Sequence, residues 1–265
     1  MTADRSSVAP DLAERVRSHR WYHTMEIVPG LVTDGWFDLR PHVESYGLPA
    51  RMDGLRALDI GTWDGFWAFE MERRGATVVA LDVDHERDYD WPPRRRPAEP
   101  QALDRGAGFR LAKEIKGSSV ERIVCNIYDA RPEELGTFDV VFCGAVLLHL
   151  RDQLLALERF AGLCHGRLIF ADEYDRLADL VPFPVSRYRA DREKAVVFWL
   201  PARRTWRRMI WTAGFDDVTE HSRFKVELGT GGAKPLTIPH VALHATGRAA
   251  RRSPRAAVES SLGPA

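Results

Sequence analysis

Residues 55–84 read LRALDIGTWDGFWAFEMERRGATVVALDVD, and how that stretch divides decides the fold. Leu55 to Ile60 is an apolar run too short for a helix, so it predicts a buried strand. Phe66 to Arg74 then carries Phe66 and Phe69, and Trp67 and Met71, at helical spacing, and Gly75 closes that helix. Thr77 to Leu81 is a second short apolar run, ending at Asp82. Strand, glycine turn, helix and strand in this order form a βαβ unit, which calls for a parallel sheet covered by crossover helices.

Outward from that unit the same alternation continues. Arg122 to Asn126, Phe138 to Gly144 and Arg167 to Ala171 predict a third, fourth and fifth strand. Ala107 to Lys116 is an intervening helix, and Asp152 caps another that carries Leu154, Leu157 and Ala161 on one face. Trp91 to Pro100, WPPRRRPAEP, is a rigid loop. The alternation stops at Asp175 to Leu200, where Pro182, Pro184, Phe183, Tyr188, Phe198 and Trp199 suggest an inserted cover. Pro201 is expected to open a helix bearing Trp206, Met209 and Ile210, which Gly214 ends. Two late strands, Val218 to Leu228 and Ile238 to Thr246, flank the glycine-rich Gly229 to Gly232 and form a hairpin. The fold class is therefore α/β, a Rossmann-like, mostly parallel sheet with a C-terminal antiparallel pair. Residues 1–50 form a segment ahead of the sheet, 51–247 the domain with its cover at 175–200, and 248–265 a tail with little to bury, expected to be disordered.

Composition excludes several classes. With 38 Lys+Arg against 38 Asp+Glu in 265 residues, no global field draws the chain to nucleic acid or membrane. The longest apolar run, Val140 to Leu148, is about half of what a bilayer span requires. Met1 to Val16 has no apolar stretch, so it does not read as a secretory signal, and a cytoplasmic location is expected. Cys125, Cys143 and Cys164 lack C-x-x-C spacing and read as small reduced core residues.

The residues with chemical potential cluster at the carboxyl ends of the strands. Asp59, Gly61, Thr62, Trp63 and Gly65 sit where a strand turns into a helix, and glycine there lets backbone approach a ligand. Gly61 and Gly65 for turn geometry alone is the structural alternative. Asp82 follows the second strand at the position where a carboxylate accepts ribose hydroxyls, with Val83 beside it. Asn126, Ile127 and Tyr128 could border an adenine, and Gly144 ends the fourth strand on the same edge. The bulky Trp63 stands where a dinucleotide fold keeps its second glycine against pyrophosphate; S-adenosylmethionine has no phosphate and tolerates a side chain there. The residues thus favour a class I methyltransferase.

For catalysis, His149 beyond the fourth strand is the first candidate base, and Glu173, within Asp172-Glu173-Tyr174 after the fifth, is the second. Their structural alternatives are a histidine satisfying backbone groups and a loop-capping carboxylate. Trp21, Tyr22, His23, Trp36 and Phe37 could fold over the cofactor as a lid, and Arg40 could meet the donor's methionine carboxylate. Arg203, Arg204, Arg207 and Arg208 on one helix, with Arg187, Arg189 and Arg192 in the cover, would be a phosphate track for RNA or, more economically, a solvated face with acidic partners. They could equally receive an anionic small substrate. None of the nine histidines forms a compact metal-binding pattern.

Several segments resemble the methyltransferase family that includes the bacterial wobble-uridine tRNA carboxymethyltransferase. They are Trp21 to Thr24, Gly35 to Arg40, Asp59 to Trp67, Phe138 to Phe142 with Leu147-Leu148-His149, and Phe198 to Pro201 through Ala213-Gly214-Phe215. The resemblance implies a Rossmann-like methyltransferase domain with S-adenosylmethionine or a close relative bound at Asp59, Gly61, Gly65, Asp82, Val83, Ile127 and Tyr128. The tRNA enzyme's lysine, tyrosine and arginine, which hold an extra donor carboxylate, fall on Asp34, Leu148 and His240, and an acidic Asp34 would repel that group. The expectation is methyl transfer from S-adenosylmethionine to a hydroxyl of a small-molecule acceptor. The alternatives are a tRNA wobble-uridine O-methyltransferase and a non-catalytic adenosine-ligand sensor or partner subunit.

Overall fold

The computed structural model describes residues 10–99, 104–190, 197–229 and 236–247. In chain order the elements are α1 (Pro10–Ser18), β1 (Glu26–Val28), β2 (Leu31–Val32), β3 (Arg56–Ile60), α2 (Phe66–Arg73), β4 (Thr77–Asp82), α3 (Gly106–Lys116), β5 (Glu121–Val124), α4 (Pro132–Leu135), β6 (Phe138–Gly144), α5 (Gln153–Leu163), β7 (Cys164–Glu173), β8 (Ser186–Tyr188), β9 (Trp199–Pro201), α6 (Arg203–Thr212), β10 (Asp216–Leu228) and β11 (Leu236–Thr246). Seven of these strands form one sheet in the order β10-β11-β7-β6-β3-β4-β5. From β7 to β5 all pairings are parallel, with Ala57 beside Val78 on one side and Val140 on the other. β11 runs antiparallel to β7, and β10 antiparallel to β11. The chain winds outward in both directions from β3 and β6, so the crevice beyond their carboxyl ends is the topological switch point where ligands enter such sheets.

Alternate residues explain why the strands read as continuous apolar runs. Ala57, Val78, Ala80, Val140 and Phe142 pack under α2, α3 and the N-terminal segment. Leu58, Ile60, Val79, Leu81, Val141 and Cys143 pack on the other face with Leu157 and Phe160 of α5 and Trp206 and Ile210 of α6. A sheet covered on both faces has no polar side to alternate with. Cys143 and Cys164 are buried and Cys125 half-buried, all as free thiols. No helix among the described residues is long and apolar enough to cross a membrane.

The structure also departs from the expectations. Pro201 does not open a helix: it closes β9 opposite Ser186, and its carbonyl accepts from the Asp175 N–H at 3.1 Å. The helix starts at Arg203, with Ala202 as its cap. The third strand ends at Val124 rather than Asn126, because Asn126 turns to cap the next residues, its Oδ1 accepting from the Tyr128 N–H at 3.0 Å. β7 is longer at both ends than expected. α1 and the β1–β2 pair were not anticipated; Ala13 and Val16 of α1 are buried, so a short polar-looking segment still contributes to the core. The expected tail 248–265, Arg192 of the cover, Pro100 of the proline-rich loop and residues 230–232 of the hairpin turn lie outside the described residues.

Candidate active site

β3 ends in the glycine turn, whose shape is imposed by two residues that only glycine serves well. Gly61 has φ +74°, and a Cβ there would sit 2.4 Å from Val146 Cγ2 in the turn after β6. Gly65 has φ +91°, and its Cβ would meet the Phe69 ring at 2.4 Å. Trp63 takes φ +48° despite its side chain. It is held by its N–H, which donates to Asp82 Oδ2 at 2.7 Å, while the other oxygen, Oδ1, accepts from the Val83 N–H at 2.8 Å. Asp82 therefore fixes the turn from the end of β4, and each of its oxygens has a second lone pair beyond these bonds.

Below it Asp59 is buried, and burial, followed by the charge of Asp82, raises its carboxyl to about 7. Asp59 Oδ2 and Thr62 Oγ1 are buried with no hydrogen bond of good geometry, although the Thr62 hydroxyl is near enough to oppose the rise of the Asp59 carboxyl. Such orphaned atoms are costly unless a ligand or water meets them. At the end of the first parallel strand, these atoms fit a polar ligand such as the S-adenosylmethionine implied by the sequence. At the far wall, the Asn126 and Tyr128 side chains are spent on building the corner: Asn126 Nδ2 donates to the Asp88 carbonyl and Tyr128 Oη donates to Asp90 Oδ2 at 2.8 Å. Ile127 is buried between them. Gly144 ends β6, where a Cβ would stand 3.2 Å from the Phe142 ring and 3.6 Å from Trp67 Nε1.

The N-terminal segment roofs the turn. The Tyr22 and His23 N–H groups both donate to Asp64 Oδ2, at 2.5 and 3.0 Å. Burial raises the Asp64 carboxyl to about 6 in spite of those bonds. Tyr22 stacks on Trp63 at 4.1 Å between ring centroids. The guanidinium of Arg105 lies 3.9 Å from the same Trp63 ring and 4.0 Å from Tyr89, so Tyr22, Trp63, Arg105 and Tyr89 form one continuous stack. Burial lowers Arg105 to about 10, with Asp82 the strongest opposing charge. Sequence reasoning missed Arg105 and Tyr89, since both lie in the long connection after β4 and carry no motif. Arg40, expected to meet the donor carboxylate, instead forms a two-pronged pair with Asp38 at 2.8 and 2.6 Å.

On the acceptor side, the Leu147 N–H donates to Asp172 Oδ2 at 3.0 Å, tying the turn that bears His149 to the end of β7. Asp172 is fully buried, and burial pushes its carboxyl up to about 8. Glu173, the next residue, is half-buried; burial raises its carboxyl as well, opposed by Arg189 and Arg187. The two residues thus face different surroundings, Asp172 sealed and Glu173 half-buried beside the arginines of the cover. The cover is clamped over this end: the Phe198 N–H donates to the Leu148 carbonyl at 2.9 Å, and Trp206 Nε1 donates to the Glu173 carbonyl at 2.9 Å. His149 is exposed on the turn itself. His149 and Glu173 therefore stand at the carboxyl ends of neighbouring strands.

This geometry has known counterparts. The family model described as methyltransferase domain matches residues 39–220. A tRNA U34 carboxymethyltransferase of Desulforapulum autotrophicum is 26% identical over 186 residues, 69% of this chain and 50% of that protein. A ubiquinone biosynthesis O-methyltransferase of Vibrio parahaemolyticus is 32% identical over 110 residues, 42% of this chain and 39% of that protein. The chain thus spans about half the length, or less, of these curated relatives. Among solved structures, the N-terminal domain of EvdMO1 in the presence of SAH and D-fucose shares the fold, with a TM-score of 0.57 and 16% identity over 89% of this chain and 94% of that one.

Proposed function

The chain belongs to the family described as methyltransferase domain, and we propose that it is a class I S-adenosylmethionine-dependent methyltransferase that places the methyl group on a hydroxyl oxygen of a small molecule. The observation that carries the acceptor class is the state of the arginines on α6. Arg203 is bound to Asp179 at 2.7 Å and to Glu220 at 2.6 Å, and Arg204 and Arg207 donate to the carbonyls of Pro182 and Val218. Arg203 is thereby neutralised, and although Arg204, Arg207 and Arg208 stay exposed, the carbonyl bonds of Arg204 and Arg207 occupy donors that a phosphate track would use.

When bound, S-adenosylmethionine supplies an electrophilic methyl carbon on a sulfonium. Asp82 would accept its ribose hydroxyls, and Gly61 lets the turn close against Val146. The expected extra-carboxylate clamp has no cation: Asp34 is exposed and acidic, Leu148 is buried against Val197 and Leu200, and His240 is buried and pushed down to about 4 by desolvation. This supports methyl rather than carboxymethyl transfer. Glu173 would take the hydroxyl proton while the acceptor oxygen displaces the methyl group from the sulfonium sulfur, the S–C bond breaking as the O–C bond forms and S-adenosylhomocysteine leaving, and Tyr22 and Phe198 would exclude water.

The test is transfer of labelled methyl from S-adenosylmethionine to a small-molecule extract and, in parallel, to bulk tRNA lacking wobble modification. Glu173→Gln should lower turnover by roughly a hundredfold with S-adenosylhomocysteine affinity retained. Loss in His149→Ala alone moves the base to His149. Label confined to tRNA rejects the small-molecule reading, and label in neither pool supports a ligand sensor.

A further inference from the structure

The cover carries apolar side chains that the fold does not bury. Ala178–Leu180 is a 3₁₀ turn in which the Leu180 N–H donates to the Leu177 carbonyl at 3.2 Å, so Leu177 and Leu180 share one face. The carboxylates of this stretch are spent on the protein itself. Asp175 Oδ1 accepts from the Leu177 and Ala178 N–H groups, and Asp179 Oδ1 accepts from the Arg203 N–H at the head of α6. The leucines are left in solvent, 74% and 80% exposed, and Phe183, three residues on, is 60% exposed.

α6 continues this surface. Trp206 and Ile210 are buried, which turns Arg204, Arg207, Arg208 and Trp211, spaced i, i+3, i+4 and i+7, outward in one stripe. Arg204 Nη1 donates to the Pro182 carbonyl at 3.2 Å, joining the head of the stripe to the residue before Phe183. At its far end the exposed Trp211 ring lies 5.5 Å from the Arg208 guanidinium. Residues 175–190 and 203–212 hold seven arginines against two carboxylates, Asp175 and Asp179. Arg187 and Arg203 pair with those two at 2.5 and 2.7 Å, so solvent meets an excess of positive charge that the zero net charge of the chain conceals.

We propose that this surface docks on an anionic lipid bilayer, with Leu177, Leu180 and Phe183 entering the headgroup layer and the α6 arginines facing its charge. Exposed aliphatic and aromatic side chains beside arginines are what an interfacial surface needs, and their number sets how strongly it binds. The carbonyl bonds of Arg204 and Arg207 occupy single donors but leave the charge, which is all that a diffuse headgroup layer requires. A phosphodiester chain would use the arginines but gains nothing from leucines standing in solvent. A second copy in a two-fold contact would set arginine stripe against arginine stripe. Docking also bears on the crevice: the Arg189 N–H donates to the Phe198 carbonyl at 2.8 Å, and the Phe198 N–H to the Leu148 carbonyl, so the cover is tied to the turn that bears His149. The proposal holds whichever acceptor is methylated.

The full chain is sedimented with vesicles of phosphatidylglycerol and phosphatidylcholine in equal parts, and of phosphatidylcholine alone, at rising salt. Leu177→Ser/Leu180→Ser/Phe183→Ser and Arg204→Gln/Arg207→Gln variants are run beside it. Wild type should bind the anionic vesicles roughly tenfold or more tightly than the neutral ones, and each variant should lose about tenfold of that binding. The arginine variant should also lose part of the salt dependence. Both variants should keep the wild-type Tm, S-adenosylhomocysteine affinity and lipid-free methyl transfer. No binding to anionic vesicles overturns the proposal, and so does an apolar variant that binds like wild type, because charge alone would then be acting. Binding of bulk tRNA that the arginine variant loses, without vesicle binding, assigns the surface to a polynucleotide instead. Self-association that the apolar variant abolishes, again without vesicle binding, assigns it to a second copy.

Discussion

Asp82→Asn is the sharpest perturbation of the donor site, because it is nearly isosteric and changes only what the two carboxylate oxygens can do. In the wild type one oxygen accepts from Trp63 at 2.7 Å and the other from Val83 at 2.8 Å. The asparagine oxygen can keep Trp63, but its amide nitrogen then faces the Val83 N–H, donor against donor. The charged acceptor for the ribose hydroxyls is lost too, and such a bond is worth about 1.5–3 kcal/mol. At about 1.4 kcal/mol per decade, the Kd for S-adenosylhomocysteine should rise roughly tenfold to a hundredfold. Asp82→Ala should cost more, since Trp63 also loses its partner and the turn its anchor. Calorimetric titration of S-adenosylhomocysteine into the full chain reads the affinity, and thermal melts of the same samples separate it from unfolding. An Asp82→Asn variant that melts like wild type and binds within twofold of it would refute the placement of the donor on Asp82.

Gly61→Ala should lose S-adenosylhomocysteine binding and lower Tm, since a non-glycine residue at φ +74° costs about 1–3 kcal/mol before its Cβ meets Val146 at 2.4 Å; adding Val146→Ala should recover part of the Tm, and no recovery would mean the clash is not the cause. Arg105→Lys keeps the charge but not the flat guanidinium between Trp63 and Tyr89. It should loosen the lid, read as faster proteolysis near Tyr22, and unchanged cleavage would show that the stack does not hold the lid. His23 and His240 are pushed down by burial to about 3 and about 4, so the unfolded chain, titrating near 6.5, binds more protons than the fold. Their contribution is present above about 6.5 and fades as pH falls toward 4, so His240→Gln should flatten the Tm decline between pH 6.5 and 4. Asp172 has the opposite sign: raised to about 8, it contributes fully below about 4 and loses that contribution as pH climbs through 8. Asp172→Asn should therefore flatten the decline between about pH 4 and 8, and a slope there equal to wild type would argue against a buried neutral carboxyl.

The strand–turn–helix core was legible because each of its features has a local cause. Apolar runs too short for helices, glycines at Gly61 and Gly65, and Asp82 at a fixed distance from them all encode geometry in neighbouring residues. The ends of elements were less legible, and Pro201 shows why. Proline at the head of an amphipathic stretch reads as a helix start, yet it also suits the end of an edge strand, and the pairing of β8 with β9 decided the matter. α1 escaped notice because only one side of a nine-residue segment is buried. At the site, Asp59, Gly61 and Asp82 were readable from spacing. Arg105 was not, because its partners Trp63 and Tyr89 are brought to it only by the tertiary fold. Arg40 shows the converse: its pairing with Asp38, two residues away, is local and needs no tertiary contact.

The same distinction governs the charges. A formal net charge of zero in the sequence is a sum, and a sum cannot say which cations are spoken for. The arginine stripe of α6 looks in sequence like the strongest polyanion signal, but Asp179 and Glu220 reach it from other elements and neutralise Arg203. The other cations of that helix, Arg204, Arg207 and Arg208, stay exposed, so their part in acceptor binding is open to a direct test. Under the small-molecule reading, Arg204→Gln/Arg207→Gln should leave acceptor KM and its dependence on ionic strength unchanged. A KM that rises in that pair and loses its salt dependence would return the site to the phosphate track.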